Sequence, residues 1–160
     1  MSGWFIVNTR ELQWFAADGH GAWVGYDPPG ERLEQLGIGL GILWPGESGA
    51  RYHGEDAQED FLILSGECLL LIEGEERLLK AWDLVHCPPW TEHAFVGAGD
   101  GPCLVLAVGA RIPGRGVCYP ASQLALRHGA GVAHETTDPR EAYADVRERK
   151  IGVPPAFPPF

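Results

Sequence analysis

Positive charge is in short supply in this chain. Lysine and arginine number 12 against 22 aspartates and glutamates, a formal net charge of −10 over 160 residues. No basic cluster offsets the deficit, so no nucleic-acid partner is expected, because a phosphate backbone needs a positive footprint. Long apolar runs are missing too. None approaches the roughly 20 residues that span a bilayer, and no membrane partner is expected. The start, Met1-Ser2-Gly3-Trp4, lacks a charged segment leading into an apolar one. The four cysteines, Cys68, Cys87, Cys103 and Cys118, form no C-x-x-C pair. Three sit in apolar runs, where a thiol acts as a small hydrophobe, so a reduced, cytoplasmic protein is expected, with Cys87 an inert buried thiol. No G-x-S-x-G marks a nucleophilic hydrolase. Gly37-x-Gly39-x-Gly41 lacks the third glycine spacing and the following helix of a nucleotide loop.

Glycine and proline, in contrast, are plentiful. With 22 glycines, 13 prolines and 45% hydrophobic residues, the composition fits one domain of short strands and turns. Residues 1–35 carry β candidates at Trp4-Phe5-Ile6-Val7, Gln13-Trp14-Phe15 and Ala22 to Tyr26, expected to pack on a barrel with Trp4, Trp14 and Trp23 clustered. Leu36 to Trp44 alternates apolar residues with glycine, the pattern of a strand whose glycine face is closely approached. Phe61–Leu64 and Glu67–Ile72 are strands. The second is apolar on both faces and so is expected to be covered twice, by the barrel interior and by another layer or subunit. Glu73-Gly74 reads as a two-residue hairpin turn. Strands follow at Asp83–Cys87, His93–Val96 and Cys103–Val108. In the extension 111–160, Asp138-Pro139-Arg140-Glu141 is a helix start, with the helix expected to reach about Lys150, helped by Asp145 and Arg149 one turn apart. A tail from Pro154 to Phe160 suits polyproline geometry.

The chemistry concentrates between Arg51 and His93. On an unbroken strand His53, Glu55, Ala57, Glu59, Phe61 and Ile63 share one face, with cation ligands at the rim and apolar side chains deeper. Asp56 and Asp60 then point outward. His86 is expected in the core or supporting the ligands, Phe61 and Phe95 as supporting or substrate-facing rings, and His20, His128 and His134 as solvated loop residues.

These residues resemble the cupin superfamily. Its first motif, a glycine, His-x-His, three or four residues, Glu, six residues and Gly, is matched by His53-x-Glu55-x3-Glu59-x6-Gly66, with Glu55 in the second histidine's place. Its second, Gly-x5-Pro-x-Gly-x2-His, is matched by Trp82-x5-Pro88-x-Trp90-x2-His93, with tryptophan at both glycine positions. Gly97 stands where an asparagine is common. The resemblance covers residues 36 to 110 and implies an all-β, RmlC-like jelly-roll barrel, a double-stranded β-helix. It also implies metal ligands at His53, Glu55, Glu59 and His93, holding one divalent transition metal: Fe, Mn, Zn or Ni. A second register puts Arg51 in the first histidine slot, leaving His53, Glu59 and His93 as ligands and Arg51 facing the pocket to pair with an anionic substrate. Either way the resemblance implies binding of a small oxygenated molecule, anionic or sugar-like. It suits a metal-dependent dioxygenase, isomerase or decarboxylase, or a non-catalytic sensor module. The doubly apolar strand and the tail point to a homodimer.

Overall fold

The computed structural model describes residues 4–154, so the expected polyproline tail lies outside the described residues beyond Pro154. The strands in chain order are β1 (Trp14–Ala16), β2 (Ala22–Gly25), β3 (Leu36–Leu43), β4 (Gly54–Glu55), β5 (Glu59–Ser65), β6 (Glu67–Ile72), β7 (Glu75–Lys80), β8 (Leu84–Cys87), β9 (His93–Ala98), β10 (Cys103–Ala110), β11 (Val117–Cys118) and β12 (Arg149–Ile151). Two short helices, α1 (Gln123–Arg127) and α2 (Pro139–Ala142), lie between β11 and β12. A seven-stranded sheet in the order β12-β1-β2-β3-β10-β5-β8 faces a three-stranded sheet, β7-β6-β9, and the pair β11-β4 completes the barrel. Every ladder is antiparallel. This is the expected all-β jelly roll. No helix among the described residues is long and apolar enough to cross a membrane.

The period-two pattern sets the core. Leu43, Phe61, Ile63, Val85, Cys87 and Val105 of the large sheet meet Cys68, Leu70 and Phe95 of the small one. The opposite face of the large sheet buries Trp14, Ala22, Val24, Leu40 and Ile42 together. The hairpin at Glu73-Gly74 forms as read: both residues have positive φ, 49° and 78°, which suits the right-handed twist of β6 and β7. All four cysteines carry free thiols, three of them buried.

Three expectations are corrected, and a fourth, left open between another layer and a subunit, is decided. Trp4–Val7 is not a strand, because the edge of β1 it would need is taken by β12. The three tryptophans do not cluster: Trp14 is in the core, Trp4 is exposed, and Trp23 stacks on Phe15. The second outer layer over β6 is the chain's own. Leu71 packs with Tyr52, Ala125 and Ala130, so the doubly apolar strand no longer argues for a second subunit. The predicted helix to Lys150 is one turn long. Asp138 caps it by accepting from the Arg140 N–H, with Pro139 following, but it stops at Tyr143. Asp145 and Arg149 pair elsewhere, with Arg51 and Asp18, and residues 149–151 add a strand to β1. Pairing a sheet edge over three residues outweighs a solvent-exposed i,i+4 contact of a few tenths of a kcal/mol.

The unusual tryptophans have a backbone consequence. Trp82 and Trp90 sit at φ 77° and 68°, a left-handed conformation that glycine adopts freely and other residues only at a cost of about 1–2 kcal/mol. Gly97 is explained by the opposite constraint: a Cβ there would overlap the carbonyl oxygen of Trp44. Trp82 is 73% exposed, so little packing is lost on removing it. Trp82→Gly is expected to raise stability by roughly 0.5–1 kcal/mol in urea unfolding; a lower midpoint would show that the indole makes contacts outweighing the strain.

Candidate metal centre

Residues 53 and 93 meet because they are cross-strand partners. His53 and His93 exchange both backbone hydrogen bonds, at 3.1 and 2.9 Å, in an isolated antiparallel bridge. That places their rings 5.0 Å apart, centroid to centroid. Glu59 opens β5 and shares its inward face with Phe61 and Ile63, so its carboxylate enters from the large sheet. Its Oε2 lies 3.5 Å from His93 Nε2 and 4.0 Å from His53 Nε2. The ligand atoms of His53, Glu59 and His93 all lie within 4.8 Å of one another.

The imidazoles are oriented from behind. His53 Nδ1 is 2.7 Å from the Arg51 carbonyl oxygen, and His93 Nδ1 is 2.9 Å from that of Thr91. A carbonyl oxygen only accepts, so each Nδ1 carries a proton, and whenever either ring is neutral its Nε2 lone pair is the one left for a metal. This is the arrangement in which a backbone carbonyl fixes a metal-binding histidine. Burial, helped by the neighbouring His53, holds His93 down at about 4. Burial also opposes charge on His53, but the Glu55 and Arg51 hydrogen bonds and the charge of Glu59 outweigh it and raise its pKa. Burial and the repulsion of Glu55 push Glu59 up.

Glu55 stands beside this group and outside it. The β4–β5 break at residues 56–58 interrupts the single strand face, so 53, 55 and 59 converge from two segments rather than from one parity. Glu55 Oε1 is 3.7 Å from His53 Nε2. Its Oε2 is buried without an aligned hydrogen bond, 2.7 Å from Arg115 Nη1. Burial opposes the charge, yet His53 and Arg115 together keep Glu55 below the usual carboxylate range.

Arg51 does not face the pocket. It is buried, with Nε donating to Ala142 O at 3.1 Å, Nη1 to Gly129 O and Gly131 O at 3.1 Å each, and Nη2 to both Asp145 oxygens at 2.7 and 2.8 Å. Its fork ties the 129–145 segment to the barrel. His86 is likewise corrected: it is exposed and pairs with Asp60 on the outer face at 2.6 Å, because β8 parity turns it away from Cys87 and the core. Phe61 and Phe95 do lie against His93, with ring centroids 5.1 and 6.1 Å away.

Two residues near the site went unmarked in the sequence, and a third, Trp23, was expected only to pack. Arg115 reaches Glu55 from the loop after β10, Tyr119 places its ring 5.6 Å from His53, and Trp23 lines the cavity below. A basic Pro-Gly loop following a barrel strand was the only local signal for Arg115.

His20, expected in solvent, is buried against Ser48, whose Oγ is 3.1 Å from its Nδ1, with the 17–21 turn drawn inward by the Ser48 N–H to Gly19 carbonyl bond. Burial, and then the positive charge of Arg51, lower its pKa. The sign follows: the unfolded chain takes up a proton at His20 before the folded one does. Its contribution to stability is therefore present above about pH 6.5 and is lost as pH falls through the lowered value. His20→Gln is expected to flatten the loss of stability below pH 6.5 in urea titrations; an unchanged slope would rule His20 out as the cause.

A cavity of about 360 Å³ lies beneath the group, lined by His53, Glu59, His93, Phe61, Phe95, Trp23, and Gly39 and Gly41 of β3, among others. The β3 glycine face is closely approached only in part. At Gly39 a Cβ would come 3.0 Å from the Val24 carbonyl oxygen, whereas at Gly41 it would meet nothing within 4 Å.

Residues 39–109 match the family model for the cupin domain. No curated protein matches the chain. Among solved structures, a sugar phosphate isomerase from a cupin superfamily of Silicibacter pomeroyi DSS-3 is 22% identical, over 70% of this chain and 79% of that one, with a TM-score of 0.59. A provisionally named sugar phosphate isomerase of Acidithiobacillus ferrooxidans ATCC 23270 is 24% identical, with a TM-score of 0.55 over 62% of this chain and 65% of that one, just under two thirds of its length. The polyketide cyclase RemF of Streptomyces resistomycificus is 14% identical, with a TM-score of 0.59 over 70% of this chain and 83% of that one. At these identities the likeness is one of fold.

Proposed function

Because the chain belongs to the cupin superfamily, we propose that it binds one divalent transition metal through His53, Glu59 and His93 and presents it to a small oxygenated molecule in the barrel cavity. The observation that carries this reading is the pair of imidazoles whose Nδ1 protons are committed to backbone carbonyls while both Nε2 atoms converge on one carboxylate. Two nitrogens and one oxygen suit Fe, Mn, Zn or Ni, and three protein ligands leave positions open for substrate or water. A bound ion of that kind supplies Lewis acidity at a substrate oxygen.

The remaining roles belong to the chain. Glu59 ligates; burial, and then the repulsion of Glu55, raise its pKa, a cost that a bound cation would offset. Glu55, kept ionised by His53 and Arg115, stands next to the metal group as a proton acceptor. Phe61 and Phe95 pack together and form an apolar wall beside the group. The donor set and the adjacent proton acceptor suit a dioxygenase, isomerase or decarboxylase.

Titration with Co²⁺ tests the reading. A visible d–d spectrum is expected to saturate at one equivalent per chain, to change when a small oxyanion such as acetohydroxamate is added, and to be absent from His93→Ala. A spectrum that ignores the oxyanion would mean that no coordination position is open.

A further inference from the structure

The cavity below the metal group is apolar to a degree that restricts what can sit in it. Among the described residues lining it, His53, Glu59 and His93 carry the only charged or titratable side chains, and apart from the Trp23 indole the rest are aliphatic, phenyl or glycine. His93 is 2% exposed, and its Nε2 faces this space with Glu59 Oε2 at 3.5 Å. The large sheet empties the wall away from the ligands. Its inward cross-strand rows read Trp23-Gly41-Val105 and Gly25-Gly39-Ala107, and a Cβ at Gly41 or Gly25 would meet no atom within 4 Å. Strand interiors disfavour glycine, so a run of it facing a cavity leaves room where side chains would otherwise fill the barrel. The adjoining groove shares Gly39, Ala107 and Glu59 with this cavity and carries three arginines: Arg111 is engaged by Asp27 and the Leu33 carbonyl, Arg115 by Glu55, and Arg32 does not line the apolar cavity itself.

We propose that the substrate is a molecule with an oxygen-bearing head at the metal group and a compact apolar body, aromatic or branched aliphatic, lodged between Gly41, Ala107, Trp23 and Phe61. This rests on the metal-binding reading above and narrows it. A sugar-like body would bury several hydroxyls among side chains that offer no partner, and unpartnered buried polar groups are strongly disfavoured. An apolar body removes its own surface and that of Trp23, Phe61 and Val105 from water together. The charge of an anionic head is met by the cation, and none is needed deeper.

Hydroxamates isolate the body from the head. Calorimetric titration of the zinc-loaded chain compares acetohydroxamate, benzohydroxamate and gluconohydroxamate, which share one chelating group. Benzohydroxamate is expected to bind about 10- to 100-fold more tightly than acetohydroxamate, as burial of a phenyl ring predicts, and gluconohydroxamate no better than acetohydroxamate. Gly41→Leu, whose side chain grows into the empty space, is expected to reduce benzohydroxamate affinity to the acetohydroxamate level with zinc content unchanged. Ala107→Leu, on the next inward row, repeats the test should Gly41→Leu not fold. Equal affinities for the benzo and aceto forms, tighter binding of the gluconyl form, or a preference that survives both substitutions would each overturn the apolar slot while leaving the metal site standing. A chain that retains no zinc would overturn the metal reading itself, and the slot with it.

Discussion

Arg51→Ala is expected to destabilise the protein by about 3 kcal/mol or more without emptying the metal site. The guanidinium satisfies the carbonyls of the buried Gly131 and Ala142 and of the exposed Gly129, and each buried carbonyl left unpaired costs on the order of 1–3 kcal/mol. The Asp145 half of the contact is worth far less: its carboxylate is 75% exposed, and Asp145→Asn should lose about 1 kcal/mol at most. The Arg51 carbonyl that orients His53 remains in the alanine variant, so metal bound per folded chain should hold. Urea unfolding of both variants, with metal measured in the folded fraction, checks this. Unchanged stability with weakened binding of an anionic ligand would return Arg51 to the pocket-facing role that its spacing from His53 first suggested.

Glu59 and Glu55 should behave as different kinds of residue. Glu59→Ala is expected to lower zinc affinity by more than ~100-fold, since it removes one of three converging donors, whereas Glu55→Gln should change it by ~10-fold or less. The small second effect comes from opposing causes. Glu55 adds negative charge beside the site, but it also raises the pKa of His53 and so favours a proton where the metal would bind. Its Oε2 is held towards Arg115. Competition titrations against a chromophoric chelator at fixed pH separate the two variants. A loss in Glu55→Gln as large as that in Glu59→Ala would make Glu55 a fourth ligand.

The strands and the three ligand candidates were legible because both signals are local or fixed by spacing. Alternation marks β3, short apolar runs bounded by turn residues mark β5 and β9, and the His53, Glu59 and His93 intervals survive wherever the barrel closes. What escaped depended on partners remote in sequence. Arg51 is recruited by carbonyls and a carboxylate 78 to 94 residues away. The helix after Pro139 had good local propensity to Lys150, yet its last residues pair with β1. His20 looks like a loop histidine until Ser48 folds over it. The glycines of β3 read as a close approach, whereas Gly41 faces a cavity.

The central claim is that His53, Glu59 and His93 hold a metal ion, and elemental analysis of the purified 160-residue chain tests it most directly. The expected result is close to one equivalent of a single divalent transition metal per chain in the wild type, and a small fraction of that in a folded His93→Ala. A wild-type content far below one equivalent after growth with Fe, Mn, Zn and Ni supplied, or a His93→Ala content equal to wild type, would contradict it.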